Sequence, residues 1–234
     1  MIRRDRPPPS GMSALSPSRS STALPPRGFT GRALACRRGE RLVFRDLDFT
    51  LAPGAALVLV GPNGSGKSSL LRLMAGLTPP ERGTLAWDGA AIAEDRAAHR
   101  ARLHFIGHQE ALKPALTAAE TLRFWAGMHG REPAVVAALE RFRLGRLGDW
   151  PCRLLSAGQR RRVALARLVA SPAALWLLDE PTTGLDAEAM AALFACIEAH
   201  RAGGGAVVLS THADLPLADA AMLSLADFPP RRAA

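Results

Sequence analysis

Tyrosine is absent from the 234 residues, and only 8 phenylalanines and 4 tryptophans supply aromatic surface. Lysine is almost absent too: of 30 basic side chains only Lys67 and Lys113 are lysines. Wherever plain positive charge suffices, the chain uses arginine. A lysine kept in a glycine-rich loop therefore marks a place for a compact, mobile ammonium that a guanidinium fork does not fit. The three cysteines, Cys36, Cys152 and Cys196, are odd in number, widely spaced and form no C-x-x-C. That argues against a disulfide framework and predicts buried free thiols. The six histidines show no metal-ligand spacing. His104 and His108 stand four apart, but a strand over 103–106 separates them, so no metal site made by protein side chains alone is expected. No apolar run approaches the roughly 18–20 residues that span a bilayer. Work at a membrane would require a partner to carry the chain there. The first residues also lack the apolar core of a secretory signal.

The net charge of +9 sits mostly in the tails. Residues 1–30 hold five arginines against Asp5, and Arg231 and Arg232 add two more charges near the end. A nearly neutral body carries no basic stripe of the kind that grips nucleic acid. The Pro/Ser/Arg-rich residues 1–28 offer little apolar surface to offset ordering entropy and are expected to be disordered. Their acid-poor makeup also resembles an organelle transit peptide, though without an amphipathic period, and Met12 is an alternative start.

From there the chain alternates. Ala55–Val60 is a continuous apolar run, the pattern of a strand buried on both faces. Gly61-Pro62-Asn63-Gly64-Ser65-Gly66-Lys67-Ser68 follows it and opens a helix over 67–75, the context in which G-x-x-x-x-G-K-[ST] is a phosphate-binding loop. The glycines let successive N–H groups face phosphate oxygens, the helix N-terminus adds its dipole, Lys67 would bridge the β- and γ-phosphates, and Ser68 would ligate Mg²⁺. Strands are expected over 84–87, 103–106, 175–178 and 206–210, with helices over 159–170 and 187–201. A helical stretch over 118–142 is broken at Gly130 and Pro133. Strands alternating with helices predict an α/β fold, a mostly parallel sheet flanked by helices.

Three features together are more specific than the loop: Leu155-Ser156-Ala157-Gly158-Gln159, then the apolar strand ending in Asp179-Glu180, then Ser210-Thr211-His212. From about Arg32 to about Phe228 the chain resembles the ATP-binding subunits of ABC transporters. The resemblance implies a P-loop ATPase with an antiparallel β portion near its start, a domain over 29–228, a helical signature subdomain over about 110–170, and a short tail over 229–234. It implies ATP as substrate with Mg²⁺ held by Ser68, Gln109 and Asp179. Glu180 resembles the carboxylate that polarises the attacking water, His212 the histidine at the γ-phosphate, and Gln109 the glutamine that relays occupancy to a membrane partner. The Leu155–Gln159 signature implies a head-to-tail dimer in which it caps the ATP of a second copy, with Asp186 at the seam. Ala157 replaces the usual second glycine and is compatible with a negative φ. Arg160, Arg161 and Arg162 read as a solvated, partly paired helix face rather than a nucleic-acid patch. The family stacks adenine on an aromatic residue near the first strands. Counting back from Gly61 puts Arg38 there, whose planar guanidinium can also stack on a base.

Within the family, the segment from Gly107 to Trp125, the run Leu85–Gly89 and the stretch Leu154–Leu168 resemble the ATP-binding subunits of bacterial cytochrome c maturation haem exporters. That implies a peripheral location on the cytoplasmic side of the cell inner membrane. It also implies a polytopic membrane subunit and further cytochrome c maturation membrane proteins as partners. A transporter ATPase for another cargo, and a soluble ATPase acting on ribosome or DNA, are the alternatives. The second lacks its usual duplicated ATPase halves or long heptad insertions.

Overall fold

The computed structural model describes residues 28–128, 134–212 and 216–229. The expectations for the tails at 1–27 and 230–234, and the breaks at Gly130 and Pro133, lie outside the described residues.

Two sheets build the body. Strands β1 (Phe29–Arg38), β2 (Arg41–Leu51), β4 (Arg82–Trp87) and β5 (Ala90–Ala91) form an antiparallel sheet ordered β2-β1-β4-β5. Its register runs from Phe29 opposite Leu51 to Arg38 opposite Arg41. Strands β3 (Ala56–Val60), β6 (Leu103–Ile106), β7 (Leu175–Asp179), β8 (Ala206–Ser210) and β9 (Ala221–Ser224) form a parallel sheet ordered β6-β7-β8-β3-β9. The long β1 and β2 and the edge strand β9 have no counterpart with bounds in the sequence reading. Charged residues interrupt the apolar pattern of the first two, and β9 is only four residues long.

Strands β3, β6, β7 and β8 are apolar at nearly every position because both of their faces are buried. Leu57 and Leu59 of β3, Leu175 and Leu177 of β7, and Ala206 and Val208 of β8 face one core, shared with the antiparallel sheet and helix α1 (Lys67–Met74). Val58, Trp176, Leu178, Val207 and Leu209 alternate to the opposite core. There they meet α3 (Ala118–Gly127), α4 (Val135–Arg141), α5 (Ala157–Ala170) and α6 (Ala187–Ala202). The short α2 (Arg96–Ala101) leads into β6. Helix α1 buries Leu70, Leu71, Leu73 and Met74 completely. At about 1.5–3 kcal/mol each, these side chains fix the helix that carries the loop lysine. All three cysteines are buried and free. Among the described residues no helix is long and apolar enough to cross a membrane, and no cluster of His, Cys, Asp and Glu could hold a metal ion unaided.

Helix α5 starts at Ala157, two residues before the expected Gln159. Ser156 is its N-cap: Gln159 N donates to Ser156 Oγ at 3.2 Å and Ser156 N donates to Gln159 Oε1 at 2.8 Å. This reciprocal box satisfies two end groups of the helix. The sequence reading of Arg160, Arg161 and Arg162 as a solvated, partly paired face needs correction at Arg161, while Arg160 and Arg162 are half-buried and donate to Leu155 O and Phe142 O. Arg161 is 4% exposed and Arg167, one turn and a half further on, is equally buried. Their guanidiniums turn inward because backbone carbonyls at the ends of β6 and β7 accept from them.

Candidate functional site

Gly61, Gln109, Glu180 and Thr211 follow the carboxyl ends of β3, β6, β7 and β8, the edge at which open α/β sheets bind ligands. The loop after β3 is shaped by its glycines. Gly66 is the N-cap of α1 at φ 109°, and a Cβ there would stand 2.6 Å from Val43 Cγ1. A side chain at this position would push the loop away from β2. Lys67 is 6% exposed, and its Nζ donates to Gly61 O at 2.7 Å and Pro62 O at 3.3 Å. Burial pushes the ammonium pKa down, while the charges of Glu180 and Asp179 pull it back up. A partly desolvated cation capped by two carbonyls, beside a buried Ser65 Oγ with no hydrogen-bond partner among the described residues, fits an anion carrying several acceptor oxygens.

A cleft of about 350 Å³ lies over the loop, lined by Asn63, Gly64, Gly66, Lys67, Ser68 and Glu180, with Arg38 and Arg41 also on its wall. Adjoining it is a cavity of about 600 Å³ lined by Ser68, Gln109 and Asp179 together with Arg38, Phe105, Trp125 and Arg167. The chain therefore brings a hydroxyl, a neutral amide and a carboxylate to one cavity beside the phosphate loop. All three are oxygen donors of the kind a hard divalent cation takes alongside phosphate oxygens, so the residues fit Mg²⁺.

The end of β7 is held from two sides. Ser210 Oγ donates to Asp179 Oδ1 at 2.7 Å and accepts from Glu180 N at 2.9 Å. On the far side Arg161 donates to the carbonyls of Asp179 and Glu180. Glu180 itself sits at φ 45°, in the left-handed region that a residue with a Cβ enters at a cost. His212 Nε2 lies 3.3 Å from Glu180 Oε1. An imidazole and a carboxylate thus stand together, the carboxylate on the wall of the cleft that Lys67 also lines.

Not every expected residue joins this site. None of Leu155–Gln159 lines either cleft. Ala157 has negative φ at the start of α5, so its methyl is accommodated, while a Cβ on Gly158 would stand 3.3 Å from Gly184 O. Asp186 is exposed and caps α6, accepting from Ala189 N at 2.8 Å. Arg38 lines both clefts, and among the described residues no aromatic side chain lines the first. Sequence reasoning passed over Arg41, read Arg161 only as part of a solvated helix face, and gave Ser210 no role of its own. The last was the first letter of Ser210-Thr211-His212, a buried serine closing an apolar strand, and that polar break was the available signal.

A model of the ABC transporter family matches residues 44–183. The chain belongs to the ABC transporter family. It is 56% identical over 207 residues to the "Cytochrome c biogenesis ATP-binding export protein CcmA" of Paramagnetospirillum magneticum, covering 86% of this chain and 94% of that protein. The protein of the same name from Rhodospirillum rubrum is 53% identical over 206 residues, covering 88% of each. A solved ATP-binding subunit of an ABC transporter superposes with a TM-score of 0.72 at 28% identity, over 79% of both chains. A dimeric ATP-binding cassette solved with ADP and Pi shares the fold at a TM-score of 0.70 and 24% identity, covering 79% of this chain and 88% of that one. This ABC subunit is thus an ATPase.

Proposed function

We propose that this ABC ATPase drives haem export or handling for cytochrome c maturation, as a head-to-tail dimer docked on a polytopic membrane subunit. The observation that carries the mechanism is the convergence of Lys67, Ser68, Gln109, Asp179 and Glu180 on two adjoining clefts, with His212 beside Glu180. The cytochrome c assignment is supported by the likeness to the two CcmA proteins along most of the chain.

In this reading the backbone N–H groups from Gly61 to Ser68 cradle the phosphates of ATP, and Lys67 leaves its two carbonyls to reach between the β- and γ-phosphates. Ser68, Asp179 and Gln109 hold Mg²⁺, which neutralises charge on the phosphate oxygens when bound. Glu180 orients the attacking water and takes up its proton. His212, 3.3 Å from that carboxylate, keeps it aimed and donates to the γ-phosphate. Arg38 lies against the base. The signature residues Leu155–Gln159 meet the nucleotide of a second copy, with Asp186 at the seam between copies. Gln109 stands where the chain leaves β6 for the helical segment, so gain or loss of the γ-phosphate moves that segment against the membrane subunit. The subunit sits peripherally on the cytoplasmic side of the inner membrane, among other cytochrome c maturation membrane proteins, and binds no nucleic acid.

The test is genetic and chemical together. Deleting the gene is expected to abolish covalent haem attachment to periplasmic c-type cytochromes, seen as loss of haem-stained bands. A wild-type copy restores them and a Lys67→Ala copy does not. Normal c-type cytochromes in the deletion strain would refute the haem role and leave the ATPase untouched.

A further inference from the structure

Arg161 is the middle one of three consecutive arginines on α5, yet its guanidinium points into the protein. Nη1 donates to Gly107 O at 2.9 Å, and Nη2 donates to Asp179 O at 3.0 Å and Glu180 O at 2.8 Å. Those carbonyls belong to the ends of two adjacent parallel strands, β6 and β7, just where their chains diverge towards Gln109 and Glu180. Only a planar, forked cation on a long stem can serve both strand ends from a helix behind them. Its Nε is buried with no hydrogen-bond partner among the described residues. The side chain therefore leaves one donor unmatched while holding three carbonyls, which is a poor arrangement for stability alone.

The carbonyl of Glu180 is the end of that residue opposite to the N–H held by Ser210. Between the two grips lies the left-handed backbone at φ 45°. Without them the peptide would relax towards an ordinary φ and swing the carboxylate away from His212. Helix α5 begins with the signature residues, so the same side chain links that helix to the hydrolytic carboxylate of its own chain.

We infer that Arg161 is a positioning residue, which holds the Glu180 backbone in its left-handed turn, sets it against the Gln109 loop, and ties both to the signature helix. The role rests on Glu180 being the carboxylate that orients water. Arg161 touches no substrate and acts through Glu180. Displacement of α5 at a neighbouring copy's nucleotide would reach Glu180 through this guanidinium, giving the two ATP sites of a dimer a direct mechanical link.

The experiment measures MgATP hydrolysis by the full-length chain purified with its membrane partner. It compares wild type, Arg161→Met, Arg161→Lys, Glu180→Asp and the double variant Arg161→Met/Glu180→Asp. A reacting group misplaced by about 1 Å costs about 100-fold, so Arg161→Met is expected to lower kcat by about that factor, with KM changed less than about threefold. Arg161→Lys keeps the charge without the fork and is expected to restore the melting temperature but not kcat. With Glu180 already displaced, Arg161→Met should add less than about threefold further loss, since residues acting as a unit are not additive. Multiplying losses in the double variant, or Lys restoring kcat and melting temperature together, would overturn the role. Absence of hydrolysis by the wild-type complex would overturn the ATPase reading, and the role with it.

Discussion

Replacing Ser210 by alanine removes one oxygen atom from a position that is 0% exposed. That oxygen donates to Asp179 Oδ1 at 2.7 Å and accepts from Glu180 N at 2.9 Å, so one truncation unmakes two hydrogen bonds. A bond to a charged carboxylate contributes about 1.5–3 kcal/mol, and a buried N–H left unmatched costs about 1–3 kcal/mol. Asp179 faces the adjoining cavity, where water can replace part of what is lost, so the low ends of both ranges apply. They combine to about 2.5 kcal/mol. For a chain of this size each kcal/mol moves the melting temperature by about 2–4 °C, so Ser210→Ala should melt about 5–10 °C below wild type. Catalysis should suffer separately. The left-handed turn at Glu180 stores about 1–2 kcal/mol, and loss of its N–H anchor lets that strain relax. Nucleotide binding at Lys67 should persist while turnover falls. The assay is thermal unfolding by circular dichroism, with nucleotide affinity and hydrolysis measured on the same preparation. A melting temperature within 2 °C of wild type, at unchanged turnover, would refute the account of how β7 and β8 hold the carboxylates; that bound is about the effect of less than 1 kcal/mol.

Two further outcomes are expected. Glu180→Gln should keep ATP bound yet stop hydrolysis, because the amide lacks the basicity to take water's proton; size-exclusion with MgATP should show a dimer, and a strictly monomeric variant in the presence of its membrane partner would count against the shared-site reading. Acid should destabilise the fold through two buried imidazoles: burial pushes the pKa of His99 down, with the charges of Arg102 and Arg100 acting the same way against the bond to Met74 O, and burial lowers that of His200. Both are neutral in the folded state, so their contribution is complete above the unfolded pKa of about 6.5 and declines as pH falls below it, by up to about 1.4 kcal/mol per pH unit for each. Trp87 Nε1 donates to His99 Nδ1 at 2.9 Å, a bond that protonation of that nitrogen breaks. A melting temperature that stays level between pH 7 and pH 5.5 would contradict this.

The parts of the fold that could be read from sequence are those where burial acts alone. β7 and β8 are apolar on both faces and β6 is broken only by the buried His104, so their runs announce them almost to the residue. The phosphate loop announces itself because Gly66 has no room for a side chain beside Val43. What stayed hidden depends on pairing across distance. β1 buries its residues in blocks of three, with bulges between Gly31, Leu34, Cys36 and Arg37, so no period of two survives along it, and β2 keeps that period only over 47–51. Arginine is hydrophilic in any sequence-local reading. Only the tertiary arrangement shows that Arg161 and Arg167 trade water for carbonyls at strand ends.

Arg167 shows how far that exchange goes. Its pKa is pushed down to about 10, first by burial and then by the charge of Arg161, and still leaves the guanidinium protonated at neutral pH. The group lies 4.5 Å from the ring centroid of Trp125 and donates to the carbonyl of Phe105. Trp125 belongs to α3, Phe105 to β6 and Arg167 to α5. One buried cation therefore joins the helical segment to the parallel sheet, a few residues from Gln109 and on the wall of the same cavity. A cation–π contact of this kind contributes about 2 kcal/mol when desolvated. That is enough to hold the segment in register with the sheet, and small enough for a γ-phosphate or a docked membrane subunit to shift, since typical coupling energies between sites are about 1–3 kcal/mol.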